Sequence, residues 1–218
     1  MYDLPYYKEE DKEIILRFIH EHPFAFVSGC DEEQKPVATQ LPVFIEERNG
    51  VHYLTGHIMR NMDHHKAFGK NPNVLVVFTG PHTYVSATWY SNPVQASTWN
   101  YMSVHAKGKI KFLEEDGVIN VLKKLTLHFE NNNSSSSTVF DNLPDAYKQP
   151  LMKAIVAFEI EVESIRHVFK LSQDRDEMSY HNIIQKLTEQ GGDAKKIADI
   201  MKQRAEKVFG KNKNLSGS

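Results

Sequence analysis

The sequence predicts a mainly β fold with inserted helices, an α+β antiparallel barrel followed by a helical hairpin. Three observations carry this expectation. Strand-like runs recur between Phe24 and Phe112, bounded by the Gly, Pro and Asn clusters that break strands. One boundary is Asn49-Gly50, a hairpin turn signal because both residues tolerate positive φ. From Asp176 onward the apolar residues change to helical spacing, the period of an amphipathic helix pair.

Each element has its own signal. Glu9 to His22 carries Ile14, Ile15, Phe18 and Ile19 at helical spacing and stops before Pro23, which predicts an opening helix. Phe24–Cys30 reads as a strand, and 31–36 as its turn. Val37 to Glu47 is a second strand whose Pro42 places it at an edge or a bulge. Val51–Thr55 is the third, ended by Gly56, with a short helix over Asn61 to Phe68 before Asn71-Pro72. Val74–Phe78 is an apolar strand that stops at Thr79-Gly80-Pro81, and His82–Ser86 is a separate piece after it. Thr98–Tyr101 is fused to the alternating segment Val104–Phe112.

A helix is expected from about Asp116 to Phe129, with Val118, Leu122, Leu125 and Phe129 on one face. The Asn/Ser run 131–137 has nothing to bury and is expected to be mobile. Phe158–Glu163 alternates strictly, with three glutamates on one face that read as a solvated surface. Asp176 is an N-cap, Ile183, Ile184 and Leu187 form the stripe of the next helix, and Gly191-Gly192 stops it. A last helix runs from about Ala194 to Phe209, ended by Gly210. The expected organisation is a barrel domain over 1–173, a helical appendage over 174–210 and a disordered tail over 211–218.

Composition bounds the function. The chain has 218 residues, a formal net charge of -2 and one cysteine, Cys30. No apolar run is long enough to span a membrane. The opening residues lack a signal-peptide pattern, and the single cysteine fits a reducing cytoplasm. The overall charge gives no global reason to bind nucleic acid. From His181 to Ser218, however, eight basic side chains face four acidic ones, a local excess suited to phosphate contact. The eleven histidines show no metal-ligand spacing, no nucleophile elbow is present, and no acid pair lies in an apolar context. A cofactor is the expected source of any chemistry.

Two stretches point to a ligand. Thr55, His57, Arg60 and Asn61 fall within seven residues where a strand is expected to give way to a helix. Backbone N–H groups at such a junction favour anions, and the Arg60 fork suits two phosphate oxygens. Between Thr98 and His105, Trp99, Asn100 and Tyr101 combine flat rings with polar tips, the chemistry that holds a planar heterocycle. The same aromatics could instead close one end of the barrel core. His105 shares a strand face with Lys107 and Lys109. A further polar stretch, 169–175, offers Lys170, Ser172, Gln173 and Arg175 for a phosphate, a carboxylate or ring edges.

The residues resemble the PaiB-type family of FMN-binding negative transcriptional regulators. The resemblance rests on Met1-Tyr-x-x-Pro5, His22-Pro-Phe-Ala25, Ala38-Thr-x-Leu-Pro42, and Gly56-His57 with Arg60-Asn61. It continues in Phe78-x-Gly-Pro-His-x-Tyr-Val-Ser86 with Trp89-Tyr90, Thr98-Trp-Asn-Tyr101 and Val104-His-Ala-x-Gly108, then in Ala154-Ile-Val-x-Phe-Glu-Ile160 and Lys170-Leu-Ser-Gln173. The 131–137 run and a longer C-terminal end depart from the pattern. The resemblance implies an FMN-binding split β-barrel that pairs as a homodimer, with FMN in a groove between subunits. Thr55, His57, Arg60 and Asn61 would then hold the phosphate, Trp99, Asn100, Tyr101 and His105 would border the ring system or the facing subunit, and Lys170, Ser172 and Gln173 would close the groove. It also implies a cytoplasmic regulator acting on DNA directly or through a partner. An FMN-dependent oxidoreductase, of flavin reductase or pyridoxamine-phosphate oxidase type, and a non-catalytic flavin- or haem-binding module are the alternatives.

Overall fold

The computed structural model describes residues 1–213, with side chains to Gly210. Helix α1 (Lys12–Glu21) precedes strands β1 (Phe24–Cys30), β2 (Pro36–Pro42), β3 (Phe44–Arg48) and β4 (Val51–Met59). Helix α2 (Asp63–Lys70) leads to β5 (Asn73–Val85), β6 (Thr98–Phe112) and α3 (Glu115–Phe129). Helix α4 (Asp145–Ala154), strand β7 (Ile155–Lys170) and helices α5 (Glu177–Gln190) and α6 (Gly192–Lys213) complete the chain.

The strands form one seven-stranded sheet in the order β2-β1-β5-β6-β7-β4-β3. Its two end strands, β2 and β3, are consecutive in sequence and separated by the single residue Val43. Chain geometry limits the Cα atoms of Pro42 and Phe44 to about 7 Å apart. One residue therefore draws the two ends of the sheet together, and the sheet curls as a barrel must. Val43 is fully buried, and its N–H donates to the Pro23 carbonyl at 2.8 Å. Pro42 ends a strand at the edge of the order, where a missing N–H costs nothing.

The chain divides into two compact units. The sheet unit comprises residues 16–78 and 105–166. All seven strands contribute to it, and its core includes Val27, Leu54, Val76, Phe78, Phe158 and Ile160. Helices α3 and α4 pack on the opposite face of β7, where Val118, Val121, Phe140 and Met152 surround Ala157. Glycine is required where the curl brings backbones close. A Cβ on Gly108 would overlap the Glu161 carbonyl, and one on Gly56 would lie 2.9 Å from the Pro42 oxygen and 2.8 Å from the Phe158 ring.

The hairpin unit comprises residues 1–15, 79–104 and 167 onward. Asp176 caps α5 by accepting the Ser179 N–H at 2.9 Å, as its sequence position predicts. Tyr180, Ile183, Leu187, Ile197, Ala198 and Met201 are buried between α5 and α6. The Tyr180 hydroxyl donates to the Met201 carbonyl at 2.9 Å, and burial pushes the phenol up to about 12. Glu9 is also buried. Its carboxylate meets Lys207 Nζ at 2.6 Å and Arg204 at 2.7 Å, and accepts the backbone N–H groups of Glu10 and Asp11. Burial alone would raise this carboxyl, but the Lys207, Asp11 and Arg204 hydrogen bonds outweigh it and hold it at about 2.

Several element boundaries differ from expectation. Strand β4 continues through Gly56 to Met59, because Gly56 serves close packing there and does not form a turn. Strand β5 likewise passes through Gly80 and Pro81. The second strand is two, β2 and β3, split at Val43. Helix α1 begins at Lys12, since the Glu9 side chain bonds the N–H groups just ahead of it. Helix α4, with Pro150 inside it, had no expectation at all. The 131–137 run forms hydrogen-bonded turns. Asn131 and Asn132 adopt left-handed φ, and Asn142 Nδ2 donates to the carbonyls of Ser134 and Ser136. Helix α6 passes through Gly210 to Lys213, so three residues of the expected tail are helical, and 214–218 lie outside the described residues.

Two outcomes follow for stability. Gly108→Ala should lower the unfolding free energy by more than about 2 kcal/mol in urea denaturation, whereas Gly69→Ala, whose Cβ finds ordinary contact at 3.7 Å within α2, should be neutral or stabilising by up to about 1 kcal/mol. Glu9 has a folded value near 2 against an ordinary 4.5. Its contribution is therefore complete above pH 4.5 and lost as pH falls toward 2. Glu9→Gln should flatten that part of the stability-versus-pH curve, and an unchanged slope would deny the carboxylate this role.

Candidate functional site

The residues singled out in the sequence fall into two groups, one in each unit. Thr55, His57, Arg60, Asn61 and His105 belong to the sheet unit, and Trp99, Asn100, Tyr101, Lys170, Ser172 and Gln173 to the hairpin unit.

In the sheet unit, Thr55 and His57 lie inside β4 and not at its end. Thr55 pairs with Glu159 of β7 and Phe44 of β3. Its hydroxyl faces Glu46 Oε1 at 3.5 Å, which in turn meets Lys124 Nζ at 2.6 Å. These groups, with Arg48 bound to Glu159 at 2.7 Å, line a cavity of about 160 Å³ beside α3. The cations there, Lys124 and Arg48, are already paired with Glu46 and Glu159, so a phosphate would have to compete with those carboxylates for them. His57 pairs with Ala157, whose side chain packs under α3 and α4. The His57 Nδ1 is buried without a hydrogen-bond partner among the described residues, and burial lowers the imidazole below its ordinary value. An unpaired buried ring nitrogen costs about 1–3 kcal/mol, so a polar group supplied from outside the chain would stabilise this position.

Arg60 and Asn61 form the passage from β4 to α2. The Arg60 backbone N–H donates to the Ala154 carbonyl at 2.9 Å, which pins the turn. Its side chain is exposed, with no hydrogen bond or ion pair among the described residues. Asn61 takes a left-handed φ of 66°, and its N–H donates to His65 Nδ1 at 3.1 Å. That contact requires the His65 nitrogen to act as an acceptor. Burial, then the nearby positive charges of Arg60, His64 and Lys66, holds the ring's pKa down. The turn therefore gathers cationic and amide donors whose side chains are unspent, an arrangement suited to an oxyanion. His105 is half-buried on the β6 face that carries Lys107 and Lys109, and its pKa is lowered chiefly by desolvation.

In the hairpin unit most of the candidate polar groups bond one another. Lys170 ends β7, buried, and its Nζ donates to Thr98 Oγ1 and, at 2.9 Å, to the Trp99 carbonyl. Ser172, at a left-handed φ of 61°, donates to Asn100 Oδ1 at 3.0 Å. Asn100 is wholly buried, and its amide reaches Met201 Sδ at 3.5 Å. Gln173 folds back on its own loop, accepting from Leu171 N at 2.7 Å and donating to the Phe169 carbonyl at 2.5 Å. The free surface is aromatic. The Trp99 ring is 54% exposed, 6.0 Å from Tyr84 edge-on and 6.2 Å from His82. Tyr101 is half-buried, with its phenol raised by desolvation.

Sequence reasoning missed the partners that decide these roles. Thr98 and Tyr7 flank Lys170, with the ammonium 5.8 Å above the Tyr7 ring. Glu46 and Lys124 decide the surroundings of Thr55. Tyr7 lies two residues beyond the quoted opening motif and Thr98 opens the quoted Thr98-Trp-Asn-Tyr101 motif, which were the available signals. The others are contacts between distant parts of the chain.

Comparison with known proteins agrees with this architecture. Residues 1–164 match the family described as "Putative FMN-binding domain". The chain is similar to "Protease synthase and sporulation protein PAI 2" of Bacillus subtilis, 35% identical over 208 residues that cover 95% of this chain and 99% of that protein. Among solved structures it is similar to an FAD and haem binding protein from Mycobacterium smegmatis, with a TM-score of 0.56 and 18% identity over 74% of this chain and 72% of that one. It is also similar to the flavocytochrome Anf3 from Azotobacter vinelandii, with a TM-score of 0.53 and 15% identity over 79% and 74%. At such identities the structural likeness speaks for the fold. No described helix is long and apolar enough to cross a membrane, and no metal-binding group occurs among the described residues. A barrel curled through Val43, a match over three quarters of the chain and a near full-length relative lead to one assignment: the chain belongs to the PaiB-type family of FMN-binding split-barrel proteins.

Proposed function

We propose that this protein is an FMN-binding negative regulator of transcription, cytoplasmic and homodimeric, whose sheet unit holds the cofactor phosphate at the turn between β4 and α2. The observation that carries the phosphate assignment is the exposed Arg60 guanidinium, unpaired among the described residues, beside Asn61. His57, with its buried and unpartnered Nδ1, fits as a second polar contact to the same cofactor. Thr55 fits less well, because its hydroxyl is turned to Glu46. His105 is proposed to border the ligand as a neutral imidazole, consistent with its lowered pKa.

In the hairpin unit, the exposed Trp99 indole is the surface on which a planar heterocycle can stack, with Tyr101 near it in sequence. Lys170, Ser172, Asn100 and Gln173 are better read as the frame that fixes the Trp99 backbone than as ligand contacts, since their polar atoms are engaged within the chain. Bound FMN would supply a redox-active isoalloxazine. The residues named here bind and orient it. The regulatory half of the proposal is supported by the family assignment and by the likeness to the Bacillus subtilis protease synthase and sporulation protein PAI 2.

Arg60→Ala should weaken FMN binding at least tenfold, as expected for loss of a charge-assisted hydrogen bond. Flavin fluorescence quenching reads this directly, and unchanged affinity would remove Arg60 from the site. The regulatory role is checked by mixing the FMN-loaded full chain with duplex DNA at low and high salt. Retention that weakens as salt rises is the expected result. A lack of retention at low salt, together with NAD(P)H consumption by the loaded protein, would replace the regulator with an oxidoreductase.

A further inference from the structure

Residues 1–11 are held to the hairpin unit in an uneven way. Met1, Tyr2, Leu4 and Tyr6 are exposed, while Tyr7 and Glu9 are almost completely buried. The segment therefore has two anchors. The first is apolar, the Tyr7 ring, with Tyr6 and Tyr2 edge-on to it at 4.4 and 6.1 Å. The second is ionic. The fully enclosed Glu9 carboxylate is gripped from α6 by Lys207 at 2.6 Å and Arg204 at 2.7 Å, while its backbone N–H donates to His167 Nε2 at 2.7 Å. Lys8 adds a bond to the His167 carbonyl at 3.2 Å and an ion pair to Asp3.

What lies beneath the first anchor gives the arrangement a consequence. Lys170 Nζ sits 5.8 Å from the Tyr7 ring centroid and bonds the Trp99 carbonyl. Lys170 is buried, with its amine made less basic by desolvation. Lys170 is the last residue of β7, and the Tyr7 ring is the part of residues 1–11 that lies over its ammonium.

We propose that residues 1–11 are a strap, latched onto helix α6 through Glu9, that covers the Lys170 amine, and that opening the latch exposes this amine beside the Trp99 backbone. The latch is sensitive because removing one member of a buried ion pair leaves the others uncompensated. Release of the Glu9 carboxylate would leave Arg204 and Lys207 facing one another without their shared anion, and the strap would be held only by Tyr7 and the bonds to His167. Access to Lys170 and to the backbone that carries Trp99 then becomes a controlled property of the hairpin unit. The proposal does not depend on the nature of any bound ligand.

Acetylation with an N-hydroxysuccinimide ester tests it, with each lysine of the full chain followed by peptide mass spectrometry. In the unaltered protein Lys170 should react at least tenfold more slowly than exposed lysines such as Lys35. Glu9→Gln should raise the Lys170 rate at least tenfold, with amide exchange in the interior of α5 unchanged. Lys207→Gln keeps Arg204 on Glu9 and should give a smaller rise, which guards against a Glu9 variant that does not fold. Fast Lys170 acetylation in the unaltered protein overturns the proposal. So does an unchanged Lys170 rate in the folded variants.

Discussion

Much of this structure depends on a single passage of chain at Val43. Two strands at opposite ends of the sheet order are joined by one residue, so the sheet has to curl until its ends approach. The cost is close backbone contact, which glycine relieves at Gly56 and Gly108. The gain is a β4 strand held between β3 and β7, which reaches Met59 before turning at Arg60 and Asn61. Without the curl, that turn and its unspent donors would have no fixed address.

The hairpin unit works by a different principle. Around Trp99 its buried polar groups bond one another, Lys170 with Thr98 and Trp99, and Ser172 with Asn100. Such bonds favour one backbone arrangement there, because an alternative would leave a buried donor or acceptor unpaired. The result is a rigid frame below an exposed indole. Helices α5 and α6 are part of this frame, since Met201 contacts both Asn100 and Tyr180.

Local features were legible in the sequence and distant ones were not. Asn49 and Gly50 adopt the positive φ that their pairing announced, and Asp176 caps α5 where its spacing put it. Gly56 misled because a glycine at a turn and a glycine at a close approach look alike in sequence. Helix α4 was hidden by Pro150, although Pro144-Asp145 is a reasonable helix start. Of the site, the positions of Arg60 and Asn61 at a strand-to-helix passage were readable, with the passage itself a few residues later than expected. The Glu9 carboxylate was read as the start of a helix, whereas its partners lie almost two hundred residues away. Only the folded chain brings them together.

The central claim is that the β4–α2 turn recognises the phosphate of the cofactor and not merely a flavin ring. Comparing the affinities of FMN and riboflavin for the full chain isolates that group, because the two differ by the phosphate alone. The account predicts that FMN binds at least tenfold more tightly, with the advantage shrinking as salt rises. Equal affinity for the two flavins would contradict it.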